Sequence, residues 1–201
     1  MLTAIQQEGS DMIDLNFPAT PAIPVDEDSL LAQSLATAFK LEPVDIISIG
    51  KSPYDILVEV TSLAFASVES IDFGIIASLG NRGVILTCLG GAHLSSDERN
   101  VIRDTSYSRA GTVCDARFDF VSRCFFPLYG INEDPVTGSA HCALCPYWDN
   151  RISILAPREK GTPLVGFQAS ARGGIVQVQL MEDRVKLSGK CITTITSKIR
   201  V

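Results

Sequence analysis

Two short runs at the start of the chain, "LTAIQ" (2–6) and "MIDLNF" (12–17), alternate apolar and polar residues around "EGSD". That pattern predicts a hairpin of two half-buried strands. Pro18, Pro21 and Pro24 follow and predict an extended linker, because proline cannot donate to a sheet ladder. In "DEDSLLAQSLATAF" (26–39) acidic residues precede Leu30, Leu31, Leu35 and Phe39 at helical spacing, which predicts a helix. Strand-type runs come next at "VDIISIG" (44–50), "YDILVEV" (54–60) and "GVILTCL" (83–89), with weak helical character between 63 and 80. "FDFVSRCFFP" (118–127) is a further strand. The last part of the chain holds "LVGFQAS", "GIVQVQL", "RVKLSG" and "CITTITSKIRV", all short β-type runs divided by glycines and charges. Residues 89–116 are polar without a sustained period and read as a mobile surface insertion. Taken together, the pattern predicts an α+β fold rich in strand.

Composition changes this picture little. The 201 residues are 46% hydrophobic and 20% charged, as in an ordinary globular protein. A net charge of −6 leaves no electrostatic footprint for nucleic acid or an anionic membrane. No apolar run is long enough to span a bilayer, and the N-terminus lacks the basic start and apolar stretch of a signal peptide. The six cysteines are therefore expected to be free thiols in a cytoplasmic protein.

Chemistry concentrates in "GINEDPVTGSAHCALCPYW" (130–148). Glu133 and Asp134 end a strand and its turn, and Gly138, Ser139 and Ala140 open a helix whose apolar positions continue through Leu144 and Trp148. The first N–H groups of a helix have no internal partner and carry the positive end of its dipole. With Gly138 permitting close approach and Ser139 adding a hydroxyl, this start suits a substrate carboxylate. Asp134 beside it could position a group or move a proton. The plainer alternative is that Asp134 or Ser139 only caps the helix. Pro146 predicts a kink or an early end near Cys145. Cys142 and Cys145 form a single C-x-x-C, too few ligands for zinc, and fit packing on an apolar face. His141 could be a base, a substrate contact or a helix-surface residue. His93 has no nearby ligand partner in sequence, and Arg172 before Gly173-Gly174 reads as a solvated residue in a tight turn.

The stretch "SRCFFPLYGINEDPVTGSAHCALCPYW", then "QASARGG", then "RVKLSGKCITTI", resembles the phenazine-biosynthesis PhzF-like family, as do "RGVILT" (82–87) and "YDILVEV". The resemblance implies the diaminopimelate-epimerase fold: two lobes, each a sheet wrapped around a central helix, with the active site between them. It implies isomerase chemistry without metal or organic cofactor, as in the isomerase of trans-2,3-dihydro-3-hydroxyanthranilate. There a glutamate shuttles the proton, while an aspartate and a serine orient the substrate. Carried over, those two are Asp134 and Ser139, with Gly138, Ala140 and His141 as further binding positions.

The family's proton-shuttling glutamate stands in an "S-E-T"-like stretch, and a "C-G-H-A-T"-like helix start belongs to the same lobe. Neither occurs in residues 1–201, and Glu8, in the hairpin turn, is no substitute. The expected layout is therefore a remnant of the first lobe plus linker over 1–24 and a second lobe over 25–201, matching about the last two-thirds of a family member. The last strand is a candidate to return to the first lobe. The expected ligand is a small carboxylate-bearing metabolite, and the exposed hairpin is expected to drive dimerisation or aggregation. A non-catalytic binding protein built on the remaining lobe is the alternative.

Overall fold

The computed structural model describes residues 2–25, 30–192 and 195–198. The strands are β1 (Thr3–Gln6), β2 (Met12–Pro18), β3 (Ile23–Pro24), β4 (Ile46–Lys51), β5 (Asp55–Val60), β6 (Gly83–Leu89), β7 (Phe120–Phe125), β8 (Leu164–Gln168), β9 (Gly174–Met181) and β10 (Arg184–Lys190), and all but β3 fall in expected runs. Helices α1 (Leu30–Phe39), α2 (Ser62–Ser67), α3 (Phe73–Ser78), α4 (Ser96–Arg103), α5 (Ala110–Val113) and α6 (Gly138–Leu155) lie between them. All ten strands join one sheet in the order β1-β2-β10-β9-β8-β7-β6-β5-β4-β3. The β5–β6 and β7–β8 pairs are parallel and the rest antiparallel.

Period-2 alternation sends each central strand's side chains to two different cores. On one face Ile56, Val58, Val60, Val84, Leu86, Val121 and Phe125 pack with residues from all five short helices. On the other, Leu57, Ile85, Phe120, Cys124 and residues of β8–β10 close around α6. Strands buried on both faces read as continuous apolar runs, which is why "DILVEV" and "GVILTCL" show no polar alternation. α6 is buried around its whole circumference from Ala140 to Cys145. Trp148, fully buried, stacks on Phe120 at 5.8 Å and donates its indole N–H to Thr87 Oγ1 at 3.0 Å.

Several expectations need correction. Pro146 neither ends nor breaks α6, which runs on to Leu155. Its missing N–H would orphan the carbonyl of Cys142, but the N–H of Thr20 donates to that carbonyl at 3.0 Å. The linker thus crosses the helix at the point where proline leaves an acceptor open. The linker also contains strand: Pro18 ends β2 and Pro24 sits in β3, at the sheet's edge, where a proline removes no ladder bond. β2 is not short of partners, since it pairs with β1 on one side and β10 on the other. β10 lies beside the N-terminal hairpin.

Residues 89–116 are not structureless. They contain α4, with a capping box between Ser95 and Glu98, and α5, and they bury Leu94, Ile102, Val113 and Cys114 in the outer core. Gly90 and Gly91 let the backbone approach so closely that an added Cβ would lie 2.3 Å from the Phe118 carbonyl oxygen and 2.4 Å from the Cys114 carbonyl carbon. The anchoring residues are too widely spaced to show a period. At the other end, no strand forms over Cys191–Ile192 or 195–198, and residues 193–194 and 199–201 of that expected run lie outside the described residues, as do the acidic positions 26–28 before α1.

Candidate active site

Site geometry begins where β7 stops. Phe126 pairs with Ile131 in an isolated bridge, and Gly130, at φ 75°, closes the turn between them. The loop then runs to Thr137 before α6. The two adjacent carboxylates have different roles. Glu133 takes a two-pronged ion pair from Arg123, with Nε–Oε1 at 2.7 Å and Nη2–Oε2 at 3.0 Å. Arg123, itself buried, also donates to the Val68 carbonyl at 2.8 Å, so Glu133 fastens the loop to the sheet. Asp134 stays partly exposed. Its backbone N–H donates to Cys124 O at 2.9 Å, and its carboxylate accepts the Thr137 hydroxyl.

Gln168, fully buried at the end of β8, fixes the approach to α6 with its whole amide. Its Oε1 accepts the Thr137 N–H at 2.7 Å, and its Nε2 donates to Asp134 O at 2.7 Å and Thr137 Oγ1 at 3.1 Å. Thr137 can therefore donate to Asp134 while accepting from Gln168. Ser170 ties the same loop down by donating to Pro135 O at 2.7 Å.

Gly138 and Ser139, the first two residues of α6, are exposed. Gly138 lines a groove of about 700 Å³, walled by Val136, Arg172, Ile175, Leu187 and Lys190, a volume suited to a small metabolite. Arg172, exposed in the bend before β9, thus stands at the groove. Ser139 Oγ accepts a hydrogen bond from Arg82 Nη2 at 3.0 Å. Arg82, in the turn before β6, is held by Asp55, whose side chain is only 2% exposed: Nε reaches Oδ1 at 2.8 Å and Nη2 meets Oδ2. The Asp55 carboxylate raises the guanidinium pKa above its ordinary value.

Of the five sequence-predicted site residues, Asp134, Gly138 and Ser139 therefore border accessible space. The side chains of Ala140 and His141 do not. Both are fully buried, because α6 is enclosed on every side from Ala140 to Cys145. The His141 ring gives no surface contact: Nδ1 lies 2.8 Å from Thr137 O, and Nε2 is buried without a hydrogen-bond partner among the described residues. Burial lowers its pKa to about 4. Burial also pushes the Cys142 and Cys145 thiols up, to about 11 and about 12, as expected of packing residues rather than a reactive pair. His93 hydrogen-bonds Asp119 at 2.8 Å. Arg82, Arg123 and Gln168 had been missed as parts of the site. No local motif marks them, though Arg82 and Gln168 stand inside "RGVILT" and "QASARGG", two of the stretches that carry the family resemblance.

Comparison with known proteins agrees with that resemblance. The profile of the family described as phenazine biosynthesis-like protein matches residues 2–197. An uncharacterized isomerase of Halalkalibacterium halodurans is 30% identical over 99% of this chain and 61% of its own length. An uncharacterized isomerase of Pseudomonas aeruginosa is 34% identical over 93% of this chain and 57% of its own length. Among solved structures, a PhzF-family phenazine biosynthesis protein of Enterococcus faecalis superposes with a TM-score of 0.67 at 28% identity, covering 94% of this chain and 57% of that one. The chain thus spans about three-fifths of the length of these relatives. It belongs to the phenazine biosynthesis-like (PhzC-PhzF) protein family.

Proposed function

We propose that this chain binds and orients a small carboxylate-bearing metabolite for cofactor-independent proton transfer, the reaction of an isomerase or epimerase. The observation that carries this reading is the exposed start of α6, where Gly138 lines a groove of metabolite size, Ser139 stands exposed beside it, and Asp134 is fixed on the preceding loop. Unpaired helix N–H groups, the Ser139 hydroxyl and Arg82 supply donors and positive charge for a carboxylate. Gly138 and Ser139 then hold the substrate, and Asp134 orients the reacting part.

Moving a proton between carbons needs a base whose conjugate acid returns the proton, and such a group contributes about 10²–10⁴-fold. In this reading that group is a glutamate from the family's other lobe, which has no counterpart in residues 1–201. The same lobe would cover the groove and exclude water, strengthening each contact to the anion. The chain by itself is accordingly expected to bind small carboxylates weakly and to catalyse little.

Solvent-deuterium exchange into a dihydro-hydroxyanthranilate-type substrate tests the assignment of roles. The expected result is negligible exchange by the 201-residue chain, with substrate binding weakened by Ser139→Ala. Robust exchange that Asp134→Asn abolishes would make Asp134 the base and overturn the orienting role.

A further inference from the structure

Ser139 is the second residue of α6, so no helical carbonyl lies four residues back to receive its hydroxyl proton. The residue there, Pro135, precedes the helix, and its carbonyl accepts from Ser170 at 2.7 Å. Ser139 Oγ instead receives Arg82 Nη2 at 3.0 Å. A guanidinium only donates, so this bond uses a lone pair of Ser139 and leaves its O–H free. Asp55 and the rings of Tyr54 and Phe126, whose centroids lie 5.2 and 5.3 Å from the guanidinium carbon, fix the arginine in place. Its Nη1 makes no hydrogen bond among the described residues, and the Arg82 side chain is 31% exposed, so positive charge reaches the surface beside the serine.

On the reading that the α6 start is the substrate site, we propose that Arg82 is a positioning residue. It commits Ser139 to act as a hydrogen-bond donor and makes the site select a carboxylate over the matching neutral amide. Asp55 serves this arrangement as the buried counter-charge. A serine without such a neighbour is donor or acceptor as its ligand requires and discriminates little. With Arg82 in place one lone pair of the hydroxyl is taken and its proton is directed to an acceptor on the ligand, and the nearby cation favours the charged one.

Benzoate and benzamide, alike in shape and differing in charge, are suitable probes. Each is titrated into the ¹⁵N-labelled 201-residue chain while the amides of residues 138–140 are followed by NMR. Wild-type protein is expected to bind benzoate ~10-fold more tightly than benzamide, the range of a charge-assisted hydrogen bond. Arg82→Gln should cut that preference severalfold, leaving the part due to the helix N–H groups, while changing benzamide affinity little. Because Arg82→Gln leaves Asp55 buried and unpaired, the double variant Asp55→Asn/Arg82→Gln is measured alongside it, with circular dichroism to verify folding. Arg82→Lys keeps the charge but cannot span both Asp55 and Ser139, so it should restore only part of the preference. If benzoate shifts residues 138–140 and folded Arg82 variants keep the full preference, the role of Arg82 is refuted while the site stands. If neither probe shifts those amides, the site reading falls and takes this inference with it.

Discussion

One glutamine does much to shape the candidate site. Gln168 is fully buried and uses both ends of its amide on the loop before α6, so Gln168→Leu strands the Thr137 N–H and the Asp134 carbonyl. Unsatisfied buried groups cost ~1–3 kcal/mol each, and we expect urea unfolding to show a loss of at least about 2 kcal/mol. Asp134 should also lose its fixed position, weakening carboxylate binding beyond the stability effect. His141 leads to a pH prediction. Its folded-state pKa is about 4, below the ordinary value of 6.5, so the unfolded chain binds the extra proton between those values. Stability from this residue is fully present above pH 6.5 and is lost as pH falls toward 4. Between pH 7 and pH 4.5 wild-type protein should lose on the order of 2 kcal/mol more than His141→Leu, measured as the difference between the two urea-stability profiles. Asp134, Gly138 and Ser139 were legible in the sequence because they are contiguous and share one turn of chain. Arg82 and Gln168 were not, since 57 and 31 positions separate them from their partners Ser139 and Thr137. Only the sheet brings them together.

At the scale of elements, the hairpin strands were legible from alternation, the central strands from continuous apolar runs, and the central helix from its apolar positions. The failures share a cause: a local signal was answered by a partner far along the chain. Pro146 should interrupt α6, yet Thr20 takes up the carbonyl it leaves open. Segment 89–116 lacks a period, yet single apolar residues and two close backbone approaches pin it to the outer core. Its integration can be tested with Gly91→Ala, whose new Cβ would meet the Cys114 backbone at 2.4 Å. Backbone cannot yield as a flexible side chain does, so we expect a loss of more than about 2 kcal/mol by urea unfolding, with faster amide exchange across α4 and α5. A disposable surface insertion would show neither effect.

For the whole molecule, the open ends of the sheet lead to a prediction about self-association. β1 ends the strand order, and Leu2 and Ile5 there are 63% and 62% exposed. Such an edge invites pairing with another copy, and a lysine is an effective block. Sedimentation should show concentration-dependent self-association that Ile5→Lys suppresses; a monodisperse monomer at all concentrations would show the edge to be protected. The pairing of β2 with β10 has a consequence for how the molecule is made. Asn16 and its partner Arg184 are 168 positions apart, so a ribosome exposes β2 long before its neighbour exists. Contacts that close so late carry a large loop entropy and form slowly. Through most of synthesis the apolar face of β2 is therefore left to whatever else is in the cell, and α6, once made, is wrapped on one side only until β10 follows. Chaperone demand during translation should fall once β10 has emerged, a dependence set by strand order rather than by the stability of the finished protein.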